Sequence, residues 1–373
     1  MSDMKKPFSI LLVIPSLHGG GAERVAVNLA EYWHARGYEV TLLTQSDASS
    51  DVYVVNPQIR RISTHQFGQT GKLAQFRKIF SIRKIMQQYR PDVVIGIMMS
   101  SSVLSIAASL GTGIPVIATE HAHPPSQQMS AFWQRLRCWA YPKAAKVLAL
   151  TQMSADWLQR AIPDCQIGVM PNAIKWPLQT MAPVVAVHKS AEQKYLLAVG
   201  RLHKEKGFDV LLNAFAQLAP HYPHWQLIIL GEGGERETLT QQIQTLGLQS
   251  RVQMPGRVGN LKDWYAQADL FVLSSHNEGL SNCLQEAMAS GVCPVSFDCD
   301  TGPREVIRDG IDGMLVRPVA DANALATALA QLMSNEALRQ QYAQRAPEVL
   351  ERFSMDQIGQ RWDALFKEIK EKR

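Results

Sequence analysis

The stretch from Leu270 to Phe297 constrains this chain more than any other. Four apolar residues, Leu270–Leu273, read as a buried strand. Ser281 is placed to cap a helix over roughly residues 282–290, and Gly291 to end it. Cys293 to Phe297 then resumes as strand. Glu278 and Glu286 therefore flank the point where a strand hands over to a helix. A helix start offers unpaired backbone N–H groups and a positive dipole end, which suits a diphosphate. Sheets of this kind bind ligands at the carboxyl ends of their strands, and a carboxylate there can accept hydrogen bonds from sugar hydroxyls.

The same unit recurs along the chain. Ile10–Pro15 reads as a strand, Ser16-Leu17-His18-Gly19-Gly20-Gly21 as a turn, residues 25–36 as a helix, and Val40–Leu43 as the next strand. Strand, glycine turn, helix and strand form half of a doubly wound α/β domain. The glycines let a ligand approach the backbone, although a plain tight turn has the same composition. They match neither a Walker loop nor the spaced dinucleotide fingerprint. Tyr195–Val199 opens a second such domain and runs into Gly200-Arg201-Leu202-His203-Lys204-Glu205-Lys206-Gly207. Arg201 and Lys206 emerge at that strand's end, where two fixed cations can neutralise a diphosphate and its departing charge. The length of 373 residues accommodates two domains. Their expected extents are 1–175 and 194–354, with 176–193 as a proline-containing linker. The helix in 355–373 is expected to pack back on the first domain.

Charge is unevenly spread. Residues 1–180 hold 18 Lys and Arg against 10 Asp and Glu, and the remainder holds 20 against 23. A basic first half suits an anionic partner, a phosphate-bearing acceptor or a lipid surface. No nucleic-acid-binding motif accompanies the charge, so nucleic acid is not expected as a partner. The five cysteines lack metal or redox spacing, which fits a reducing cytoplasm. Lys5-Lys6 and the apolar run after it imitate a signal peptide, but glycines rather than a cleavage site follow, so a first strand is expected. Val93–Thr119 is 27 residues without a charge, long enough to cross a bilayer. Its serines, glycines and Pro115 instead divide it into strand, helix and strand.

Two further helices carry cations beside apolar residues. Leu73–Tyr89 sets Lys72, Arg77, Lys78 and Lys84 among Phe76, Ile79 and Phe80, with Leu73, Phe76 and Phe80 on one face. Such a helix can lie on an anionic membrane, present cations to a diphosphate, or simply pack with its charges solvated. Ala131–Lys146 mixes Phe132, Trp133 and Trp139 with arginines and lysines, which suits either a membrane interface or a core.

Glu278 and Glu286, seven residues apart in their spacer, together with Gly279-Leu280-Ser281-Asn282 and Thr301-Gly302-Pro303-Arg304-Glu305, resemble the E-x7-E signature of the retaining glycosyltransferases of family 4. The Gly-Arg-Leu and Lys-Gly pattern around Arg201 and Lys206 is also similar to that family. The resemblance implies the GT-B fold, two Rossmann-like domains facing a central cleft, and transfer of a sugar from a nucleotide diphosphate with its anomeric configuration kept. It implies catalytic roles for Arg201, Lys206, Glu278 and His121, the last contacting the donor sugar. It implies donor contacts from Gly20, Gly21, Arg257, Val258, Gly279, Leu280, Ser281, Asn282 and Glu286. His18, Lys72, Arg77, Lys78 and Lys84 are expected to meet the acceptor. No metal or other cofactor is implied, and Asp298-Cys299-Asp300 is not read as a metal site. Within the family the resemblance is to bacterial enzymes, including N-acetylgalactosaminyltransferases, that extend polyprenyl-diphosphate-linked oligosaccharides. That implies a cytoplasmic protein held peripherally on the anionic inner face of the inner membrane. UDP is the expected nucleotide, with GDP open. A soluble or lipopolysaccharide-core acceptor is the alternative, and a noncatalytic nucleotide-sugar sensor the alternative from another class.

Overall fold

The computed structural model describes residues 7–372. They form two compact units, one comprising the residues up to Ala173 and those from Met355, the other Ile174–Ser354. In the first unit β1 (Ser9–Ile14), β2 (Glu39–Thr44), β3 (Arg60–Ser63), β4 (Val93–Ile97), β5 (Val116–Glu120), β6 (Lys146–Ala149) and β7 (Ile167–Val169) make one sheet. All its pairings are parallel, in the order β3-β2-β1-β4-β5-β6-β7. The order reverses between β1 and β4, so the ends of those strands diverge and leave a crevice there.

The uncharged segment resolves as β4, the helix Met99–Ser109 and β5. No helix among the described residues is long and apolar enough to cross a membrane. Its serines are structural: Ser102 is buried, and its one hydroxyl proton is shared between Gly96 O and Met98 O, 2.8 and 2.9 Å from Oγ. The helix sits so close that a Cβ on Gly96 would lie 2.4 Å from Ser102 Cα. The helix expected to run to Lys146 stops at Ala140, and Tyr141–Lys143 forms a 3-10 turn containing Pro142. Proline cannot donate the next helical hydrogen bond.

Helix Met355–Glu371 belongs to the first unit and buries Ile358, Trp362, Leu365, Phe366 and Ile369 in its core. Trp33 meets Trp362 edge-on with ring centroids 5.5 Å apart.

The second unit holds β8 (Lys194–Val199), β9 (Trp225–Leu230), β10 (Val252–Gly256), β11 (Leu270–Leu273), β12 (Pro294–Phe297) and β13 (Met314–Val316). They too pair in parallel, in the order β10-β9-β8-β11-β12-β13, which reverses between β8 and β11. Residues 176–193, expected as a linker, are stitched to this unit. Met181 N donates to Gly259 O at 2.9 Å, Asn260 brackets Val185 with two 3.0 Å bonds, and Lys189 pairs with Asp269 at 2.7 Å. Composition alone marked the segment as irregular, which it is, but irregular backbone still needs hydrogen-bond partners.

Candidate active site

At the reversal of the second sheet, the turn after β8 and the turn after β11 are laced together. Ser274 Oγ donates to Lys206 O at 2.8 Å, and His276 N to Glu205 O at 2.8 Å. Gly207, at φ 59°, has no room for a side chain: a Cβ there would lie 2.2 Å from Ser274 O. This lacing brings Lys206 Nζ to 2.7 Å from Glu278 Oε1, and Ser275 Oγ donates to the same oxygen at 2.6 Å. The lysine and glutamate side chains are 19% and 8% exposed, so the pair is largely removed from water. Burial pushes the Lys206 pKa down and the Arg201 charge adds to that. The charge and hydrogen bond of Glu278 outweigh both and hold it above the usual lysine range. Arg201 itself is exposed.

Ser281 caps helix Asn282–Ala289 as the sequence predicts, its side chain accepting from Leu284 N. One turn into that helix, Glu286 is buried, and the Tyr265 hydroxyl lies 3.4 Å from its Oε2. Cys283 sits among the charged groups. Its thiol donates to Val199 O at 3.1 Å, and burial, reinforced by the Glu278 charge, pushes its pKa up to about 11. Lys206 lowers it and Glu286 raises it further through their charges. The thiol stays protonated there and serves as a small, inert packing group.

The turn after β12 supports the same loop. Thr301 Oγ1 donates to Glu278 O, and a Cβ on Gly302 would lie 2.8 Å from Gly279 O. Asp298 is engaged by two guanidinium groups, Arg304 at 2.8 Å and Arg317 on its other oxygen. That use leaves its carboxylate neutralised by protein cations. Arg257 follows β10 and is exposed, and Val258 beside it is buried.

In the first unit the glycine turn after β1 is closed by its own helix. Ser16 Oγ donates to Glu23 Oε1 at 2.5 Å, and Gly20 N donates to Glu23 Oε2. The Gly20 amide, expected to face donor, is thus already engaged. Gly21 begins the helix Gly21–Ala35. His18 Nε2 is 2.9 Å from Ser50 Oγ, and its ring meets Phe67 edge-on. His121, just past β5, places Nε2 3.0 Å from Thr119 Oγ1, and burial lowers its pKa to about 4. The ring is neutral at pH 7.

Helix Lys72–Tyr89 is inverted relative to an ordinary surface helix. Leu73, Phe76 and Phe80 are 67%, 69% and 70% exposed, while Ala74, Lys78, Ile82 and Met86 face the protein. Lys72, Arg77 and Lys84 are exposed. Lys78 is not available to an acceptor as expected: it is buried and its Nζ donates to Gln69 O at 2.8 Å. Its position on the inward face decides this, and a list of cations cannot.

Residues 19–175 match the family model described as Glycosyltransferase Family 4, and residues 185–349 that described as Glycosyl transferases group 1. The chain belongs to the family 4 glycosyltransferases. It is therefore a transferase enzyme. The family 4 chain is similar to an exopolysaccharide phosphotransferase of Streptomyces coelicolor, 33% identical over 76% of this chain; it spans 29% of that relative's length. A Campylobacter jejuni α-1,4-N-acetyl-D-galactosaminyltransferase, named for a diphospho-undecaprenol-linked GalNAc acceptor, is 28% identical over 97% of this chain and 99% of its own. Among solved structures, Anabaena HepE in complex with UDP superposes with a TM-score of 0.81 over 97% of this chain and 100% of that one, at 21% identity. The fold is GT-B. In this glycosyltransferase the groups that the sequence did not assign to the site are Ser275, Tyr265, Thr301 and Glu23, which hold the expected residues in place. Thr301 stands in the Thr301–Glu305 motif and Ser275 directly behind a strand, so both carried a local signal; Tyr265 carried none.

Proposed function

We propose that this glycosyltransferase moves a hexose or N-acetylhexosamine from a uridine diphosphate donor to a lipid-linked oligosaccharide in bacterial surface-glycan assembly, with retention and without a metal ion. The reading is carried by one observation: at the sheet reversal of the second unit Lys206 Nζ lies 2.7 Å from Glu278 Oε1, on the loop that leads into the helix bearing Glu286, with the Arg201 charge acting on Lys206. Breaking a sugar–phosphate bond sends negative charge onto the leaving diphosphate. Arg201 and Lys206 stabilise that charge, together with backbone N–H groups around Gly279, Leu280, Ser281 and Asn282. Glu286 accepts from the ribose hydroxyls. Glu278 uses Oε1 for Lys206 and Ser275 and offers its other oxygen to the sugar. Arg257 and Val258 flank the base, and His121 meets the donor sugar. No side chain is assigned as a nucleophile; the donor phosphate takes the acceptor's proton on the face the leaving group departs from.

The acceptor class draws support from the Campylobacter relative's named acceptor, and UDP from the HepE complex. Residues 52–91 contain eight Lys or Arg and no Asp or Glu, and within them Leu73, Phe76 and Phe80 point to solvent. Exposed apolar side chains among cations suit the cytoplasmic, anionic face of an inner membrane.

A panel of UDP and GDP sugars, read by nucleotide release and by the anomeric configuration of the product, tests the chemistry. Release from a UDP donor, lost in Arg201→Ala and Glu286→Ala, is expected; binding without release from any donor, with any acceptor, favours a sensor. Flotation with anionic vesicles, weakened by salt and by Phe76→Ser with Phe80→Ser, tests the membrane arm. A product confined to water would point to a soluble acceptor.

A further inference from the structure

Thr119, to which no role was assigned above, lies within hydrogen-bond reach of His121. Two hydrogen bonds share its single hydroxyl. Thr119 Oγ1 donates to Gly96 O at 2.9 Å, and it lies 3.0 Å from His121 Nε2. A carbonyl oxygen only accepts, so the one Thr119 proton points to Gly96. The remaining contact must then run from Nε2–H to Oγ1.

The surroundings fix this arrangement. Ser102 Oγ also reaches Gly96 O, at 2.8 Å, and accepts from Thr119 N at 3.2 Å. Thr119 is therefore held by backbone and side chain together. Between Gly96 and Ser102 the chain turns at Met98, whose φ of 69° and ψ of 158° fall in a region that is almost exclusively glycine's. A side chain held there is strained, and the surrounding contacts keep it in place. This turn lies at the carboxyl end of β4, beside the reversal of the first sheet.

The opposite nitrogen agrees. His121 Nδ1 is sealed from solvent and has no hydrogen-bond partner in the chain. The ring lines a cavity whose other walls are mostly apolar, Val25, Leu29, Ile97 and Leu148 among them, and include the Asn172 amide. An N–H at Nδ1 would be a buried donor that no acceptor of the chain reaches, a costly arrangement. A lone pair there awaits a donor.

We propose that Thr119 is a positioning residue that locks His121 in the Nε2-protonated tautomer and makes Nδ1 a dedicated acceptor for one O–H group. That O–H belongs to a buried water or to a hydroxyl of the bound sugar; both are single donors of the same chemistry. The tautomer follows from the fold, whereas its use by a sugar rests on the donor role proposed above for His121.

The test is nitrogen-15 NMR of the full chain with labelled histidines, the His121 signals assigned with His121→Gln. A proton-bearing Nε2 and a bare Nδ1 are expected in the wild type, free of ligand. Proton on Nδ1, or an even mixture of tautomers, overturns the proposal without any variant. Thr119→Val should convert the single tautomer to a mixture and Thr119→Ser should restore it; an unchanged spectrum in Thr119→Val overturns the lock. Adding UDP-glucose and, separately, UDP distinguishes the two donors: an Nδ1 shift with the sugar alone identifies a sugar hydroxyl, and an already hydrogen-bonded, unmoved Nδ1 identifies water. Absence of turnover with every donor would remove the proposed function while leaving the tautomer result standing.

Discussion

Two half-buried titratable side chains sit past the carboxyl ends of strands, one in each unit, and they resolve the same problem in opposite ways. Lys206 of the second unit keeps its charge because Glu278 lies 2.7 Å away. His121 of the first unit bonds the neutral Thr119 hydroxyl, and burial makes it give its charge up. The glycine turns differ as well. Both helices that follow carry an acid in the first turn, Asp209 after Gly207 and Glu23 after Gly20, and Glu23 folds back to take the Gly20 amide. Identical sheet logic thus accompanies one turn whose lysine is held by a carboxylate from another loop and one whose glycine amide is held by its own helix. What separates them is the partner each loop brings, not the topology.

The largest expected effect comes from removing the charged partner. Lys206→Ala should lower kcat about 10²–10³-fold, the range seen when one donor to a developing anion is lost. It also leaves the Glu278 carboxylate buried without its cation, so the thermal midpoint should fall as well. A kcat unchanged within a factor of three would break the contrast, since Lys206 would then be a structural cation only.

Next come the glycines. Gly207→Ala meets backbone at 2.2 Å in a left-handed conformation, whereas Gly20→Ala meets only a flexible Glu23 carboxylate oxygen at 3.0 Å. The first should cost about 1–3 kcal/mol and the second clearly less, measured by denaturant midpoints. Equal losses would show that the first turn is as tightly determined as the second.

The last effect is read as a slope against pH. Burial holds the His121 pKa at about 4 in the folded chain, below its ordinary value of 6.5. Above the unfolded value neither state carries the proton and stability is complete. As pH falls from there toward 4, the unfolded chain takes up a proton that the folded one refuses, and stability drops. The contribution of this residue is at most about 1.4 kcal/mol per pH unit. Comparing the slope of stability against pH for wild type and His121→Gln isolates it; the variant should be flatter in that window. Identical slopes would mean that His121 titrates normally.

Much of this was readable in advance. Leu270–Leu273 and the Ser281 cap appear as expected because apolar runs and capping residues act locally. The division of Val93–Thr119 followed from its glycines and proline for the same reason. The motif residues were legible as positions but not as partners: that Glu278 binds Lys206 and Ser275 depends on two loops meeting across a sheet, 72 residues apart for the lysine. Lys78 and Gly20 show the other limit. A residue type announces what it can do, and the neighbours that fold onto it decide whether that capacity is already used.

The last helix has a consequence for synthesis. Ile358, Trp362 and Phe366 fill the core of a unit whose other residues end at Ala173. During translation, the entire second unit is synthesised before those side chains exist. The first sheet must therefore wait with an uncovered apolar flank, or borrow shelter from a chaperone, until the final turns emerge.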